Sequence, residues 1–240
     1  MRKNYNNMIS CNESNAISVI RSISMIMIVI CHYCQIIPQI AFLGQFFNVG
    51  VQIFFIISGF LYGHKKIVEI NQWYIKSLIK IVLPLYCYYF FIGIILIACN
   101  KLGDMYFKDI IKIILNLQGF TDAKIGNIIT VHLWFISYIL LCYLITPLLQ
   151  ILREKLSYKS AKRVIMLLSV IEIIFIMNIN IHAFITQILG IIIYMSAYFL
   201  GAYWNKTVNH KQYILLTLSM IVAVCIRLYA KQIADSGRLW

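Results

Sequence analysis

The chain has 240 residues, 62% of them hydrophobic and only 12% charged, and its mean hydropathy is +0.84. Soluble domains carry about 25% charged residues, roughly twice this share, so a soluble globular protein is excluded. The net charge of +13 lies in short clusters between apolar runs, which is the distribution of cytoplasmic loops and not of a nucleic-acid surface.

Apolar runs of near-spanning length recur at roughly 16–38, 44–63, 78–99, 130–151, 164–181, 184–204 and 212–230. Backbone in lipid must satisfy its own hydrogen bonds, so the pattern predicts an all-α, polytopic transmembrane helix bundle of about seven spans. Residues 1–240 are expected to form a single integral-membrane domain. The first run lacks a small-residue cleavage pattern and contains Arg21 and His32, so it is expected to be retained as a span. Basic stretches precede the first span ("MRKN") and follow the second ("GHKKIVEINQWYIK"), fourth ("LREKLSYKSAKR") and sixth ("NKTVNHK"). Basic loops face inward, which predicts a cytoplasmic N-terminus and an external C-terminus. The external connection 100–129 contains "FKDIIKIILNL", with apolar residues at helical spacing and lysines opposite, an interfacial amphipathic helix.

Within the first span, "SVIRSISMIMIVICHYCQII" (18–37) carries Arg21 and His32, eleven residues apart. Eleven steps of about 100° return to within about 20° of the same helix face, with about 16 Å of axial separation. Ionisable groups in a span face protein or a water-filled path, so the two mark a polar track. Six of the seven cysteines lie in apolar segments and read as small hydrophobes; no disulfide framework follows. "CHYC" (31–34) has no second ligand pair, so no metal site is expected. Glu172, inside the fifth span, needs a partner there. Arg227, near the external end of the seventh, can pair or snorkel. Gly59 and Gly63, four residues apart, permit close helix approach.

Taken together, the first two spans resemble the acyltransferase-3 family of integral-membrane acyltransferases. The resemblance rests on Arg21 and His32 with ten residues between them, followed by "NVGVQIFFIISGFL" (48–61). That run matches a family pattern at Gly50, Val51, Phe54, Phe55, Ser58, Gly59 and Phe60. "KSLIKIVLPLY" (76–86) and "HLWFISYILLCYLITPLL" (132–149) supply two further matches in order, so the motif-bearing part is 16–150. Lys76 and Lys80 stand where the family usually has arginines, which keeps the charge and loses the bidentate fork. The family usually has more spans than the roughly seven expected here, so a short or C-terminally truncated member is expected.

The resemblance implies a membrane O-acyltransferase that moves an acyl group, acetyl above all, from acyl-CoA to a hydroxyl of a cell-surface carbohydrate or its lipid-linked precursor. Acyl-CoA is then a co-substrate, with no tightly bound cofactor, metal or nucleic acid, and the location is a multi-pass position in a bacterial plasma membrane. On this expectation His32 is catalytic and Arg21 orients the donor or His32. Ser58, Gly59 and Phe55 contact the acyl donor, or else pack helices. Lys76 and Lys80 meet CoA phosphates or lipid headgroups. His132 and Trp134 meet the acceptor sugar, or else form part of an interfacial belt. The competing expectation is a transporter-like or catalytically inactive truncated membrane protein whose ionisable residues line a path.

Overall fold

A computed structural model describes residues 11–100, 106–121, 124–125, 128–129, 133–177 and 183–203. Helix α1 (Cys11–Ile36) has 26 residues, about 39 Å of axis, more than a bilayer's hydrocarbon core. It stops because Ile37 precedes Pro38: the ring forces Ile37 into an extended conformation (φ −104°, ψ 106°), out of the helical region. A 3₁₀ turn at Pro38–Ile40 leads into α2 (Ala41–Phe47) and α3 (Val49–His64).

The expected span 44–63 is therefore two helices meeting at Asn48. With its amide nitrogen turned toward the backbone, Gln52 donates to Asn48 O (2.8 Å) and Val49 O (3.2 Å), adding side-chain bonds at the junction. Helix α4 (Ile70–Ala98) begins eight residues before the expected 78, because lysine at 76 and 80 lowers hydropathy without opposing helix. The helix expected in the external connection is present as α5 (Phe107–Ile114). It ends in a Schellman turn: Asn116 has φ 54°, Leu117 N donates to Lys112 O (2.8 Å) and Asn116 N to Ile113 O (3.1 Å). Lys124–Ile125 (β1) and Ile128–Ile129 (β2) then pair antiparallel.

Three helices complete the described chain: α6 (Trp134–Lys155), α7 (Tyr158–Met177) and α8 (Ala183–Tyr203). Ser157 starts α7, its hydroxyl accepting from Ser160 N (3.2 Å), an N-cap. The architecture is the all-α membrane bundle that the hydropathy predicts. Among the described residues, Asn15–Ile36, Ile70–Ala98 and Trp134–Lys155 are long and apolar enough to cross a membrane, while Val49–His64 and Ile188–Tyr203 are apolar but shorter. The expected span 212–230 lies outside the described residues.

The core lies where α3, α6 and α8 meet, around Phe55, Tyr138, Ile139, Cys142, Tyr194 and Tyr198. Along the α3–α8 seam a Cβ at Gly59 would collide with Tyr194 O, one at Gly63 with Tyr198 O, and one at Gly201 with Phe60 O. The two backbones touch because those side chains are absent. At the far end, Arg153 of α6 is buried and donates to Gly63 O (2.6 Å) and Lys65 O (3.4 Å). Gln150 takes both backbone groups of Ile67, accepting from its N–H (2.8 Å) and donating to its carbonyl (3.1 Å). The α3–α4 connection is thus clamped to α6.

Candidate active site

Helix α1 lies antiparallel to α2 and α3, and glycine contacts fix the register. A Cβ on Gly44 would meet Cys31 O and Gln35, and one on Gly50 would meet Ser24 O (2.7 Å) and Met27 Cβ (2.9 Å). Continuing that register carries Arg21 to the level of Phe54–Ser58, and His32 to the level of α2. The two informative stretches of the sequence, 18–37 and 48–61, are thus laid side by side. Because α1 is one unbroken helix, Arg21 and His32 share a face at about 16 Å separation.

Arg21 is half-buried, and its Nε is buried with no hydrogen-bond partner in the protein. Its charge is close enough to act on the phenol of Tyr143 in α6. Tyr143 belongs to an aromatic cluster from three helices, with Tyr62 of α3 at 5.2 Å and Trp73 of α4 at 6.0 Å between ring centroids. The sole ion pair among the described residues joins Lys112 and Asp109, so no carboxylate there neutralises Arg21. A guanidinium held in a span without a counter-charge is costly, and it is also a ready receptor for an anion.

His32 is half-buried near the other end of α1. Ser58 is fully buried, and its hydroxyl has no hydrogen-bond partner. Gly59 faces α8, whose backbone is the close neighbour there, and Phe55 is 1% exposed against Gly190. Lys76 and Lys80 are exposed on α4. Trp134 opens α6, half-buried, edge-on to Tyr138 at 5.8 Å. Glu172 accepts a hydrogen bond from Ser196 of α8 (2.6 Å), so its partner within the bundle is a hydroxyl. His132 and Arg227 lie outside the described residues.

The model of the acyltransferase-3 family, described as an acyltransferase domain, matches residues 14–230. The chain belongs to that family. Comparison with curated proteins and with solved structures found no match. The family fixes the chemistry as acyl transfer in general and, with the apolar helices, makes the chain a membrane protein.

Sequence reading missed Tyr62, Trp73 and Tyr143. Each is an aromatic residue in or beside an apolar run and so resembles ordinary core or belt residues. What distinguishes them is convergence from three helices near Arg21, which no local pattern encodes.

Proposed function

We propose that this acyltransferase moves an acetyl group from acetyl-CoA to a hydroxyl of an extracytoplasmic carbohydrate or its lipid-linked precursor. The observation that carries the reading is Arg21: a cation in a span, its Nε buried and unpartnered, on one face with His32. An acyl-CoA brings the phosphates that a guanidinium recognises, and an acyl carbonyl that can reach along the track.

In this reading His32 takes the proton of the acceptor hydroxyl. The oxygen attacks the thioester carbonyl carbon, the new C–O bond forms, and the C–S bond breaks. The departing CoA thiolate recovers the proton from the imidazolium, so protons and electrons balance. Arg21 holds the donor, and Ser58 and Phe55, at the same level of the bundle, contact it beside Arg21. Lys76 and Lys80 add a diffuse attraction for its phosphates. His132 and Trp134 meet the sugar. The basic loops support a multi-pass chain in a bacterial plasma membrane with its N-terminus inside, so that donor and acceptor arrive from opposite sides.

The test uses membranes holding the protein, labelled acetyl-CoA and the host's glycan-lipid fraction, with wild type beside His32→Ala. Base-labile label should appear in glycan with wild type and vanish with the variant at equal protein level. Equal transfer by both would remove His32 from the chemistry, and transfer by neither would remove the acceptor or donor assignment.

A further inference from the structure

The segment after α5 holds polar groups that the fold does not use. Gln118 is 2% exposed, yet neither its Nε2 nor its Oε1 has a hydrogen-bond partner in the protein. Two residues earlier, Asn116 is 8% exposed, and its Oδ1 also has none. A buried amide group left unpaired costs about 1–3 kcal/mol, and native interiors keep few such groups. A leucine of similar size would fill the same volume without that cost, so packing does not explain Gln118.

Nor is the segment free to turn the amide elsewhere. The Schellman turn fixes Asn116, whose carbonyl accepts from Ser137 Oγ of α6 (2.6 Å). The same hydroxyl accepts from Gly119 N (3.0 Å). A Cβ at Gly119 would lie 2.7 Å from Trp134 O, so the chain is seated directly on the first turn of α6. Beside it runs an aromatic row: Phe120 against Tyr138 at 4.8 Å, and Tyr138 against Trp134 at 5.8 Å.

The chemistry of the unused atoms selects a ligand class. A simple cation asks only for acceptors, and a phosphate only for donors; the Gln118 amide offers one of each, side by side. Adjacent sugar hydroxyls each give and accept a hydrogen bond, so a diol pairs with both amide atoms at once. Aromatic side chains beside a few fixed polar groups complete the usual make-up of a small-molecule site. We propose that residues 116–120 form a carbohydrate-hydroxyl subsite in which Gln118 binds a hydroxyl pair of the acceptor, beside Asn116 and the Phe120–Tyr138–Trp134 row. The inference rests on the acyl-transfer reading for what the sugar is, and adds Gln118 as the residue that selects it.

The experiment compares wild type with Gln118→Leu, using labelled acetyl-CoA and the host's glycan-lipid fraction. Losing the amide should raise the KM for glycan lipid about tenfold, the equivalent of one good hydrogen bond, while the KM for acetyl-CoA stays put. Should Gln118→Leu fail to accumulate, Gln118→Glu keeps the shape, loses the N–H donor, and should raise the same KM. An unchanged glycan-lipid KM would overturn the subsite and leave acyl transfer standing. If wild type transfers nothing, the donor or acceptor assignment fails on its own, and the subsite is judged by capture. A photoreactive benzoylphenylalanine in place of Phe120 should then cross-link the glycan lipid, and adding Gln118→Leu should abolish the cross-link. Equal capture by both, or none by either, would overturn it.

Discussion

Two arginines in this bundle receive opposite treatment. Arg153 is buried at the end of α6, and the fold answers it: its guanidinium donates to carbonyls at Gly63 and Lys65, just where α3 ends. Those are the orphan acceptors at the negative pole of a helix, so cation and carbonyls satisfy one another. Tyr203 adds to the arrangement, donating from its hydroxyl to Arg153 O (2.9 Å) and Leu156 O (3.0 Å). Arg21 has its Nε buried and unpartnered, with its charge acting on the phenol of Tyr143. One cation completes the structure. The other keeps that buried Nε without a partner, and on the reading proposed above it is the donor's receptor.

The largest expected effect separates chemistry from scaffold. His32→Ala should lower transfer about 10²- to 10⁴-fold, the usual share of a general base, with no loss of folded protein by detergent size-exclusion chromatography. Next comes the structural arginine. Arg153→Met leaves the carbonyls of Gly63 and Lys65 without their charged donor and should cost about 2–3 kcal/mol, measured as earlier thermal unfolding. Arg21→Met should behave the other way: unfolding temperature unchanged or higher, because a cation leaves the span, and KM for acetyl-CoA raised about tenfold. If Arg21→Met destabilised the protein as Arg153→Met does, the contrast between them would be gone.

The smallest effect belongs to the exposed lysines. Lys76→Ala with Lys80→Ala should raise the KM for acetyl-CoA less than about threefold at low salt. The difference should disappear at high salt, because exposed charges act weakly and are screened. A salt-independent tenfold rise would instead give these lysines direct, fixed contacts with the donor.

Much of this was legible in the sequence, for identifiable reasons. Hydropathy is a property of runs, so the helices and the α1 span could be read directly. The shared face of Arg21 and His32 follows from helical geometry alone. The break at Asn48 was not legible, because apolar residues continue through it and no proline or charge marks it. The early start of α4 was hidden because Lys76 and Lys80 interrupt hydropathy while suiting a helix. Partners distant in sequence were also out of reach. Nothing local says that Gly59 and Gly63 meet Tyr194 and Tyr198, that Gln150 binds Ile67, or that Tyr62, Trp73 and Tyr143 gather near Arg21. Gln118 looked like any polar residue in a connection, and only its burial against α6 makes its unused amide visible.

The most direct test of the contrast between the arginines is the thermal unfolding of purified protein with and without acetyl-CoA. A ligand at about 100 times its Kd stabilises the folded state by about 2.7 kcal/mol. Wild type and Arg153→Met should therefore both shift upward by the full amount on adding acetyl-CoA, the latter from a lower starting point, while Arg21→Met, binding about tenfold more weakly, should gain only about 1.4 kcal/mol, roughly half the shift. An equal upward shift for Arg21→Met would contradict the assignment of Arg21 as the donor's receptor.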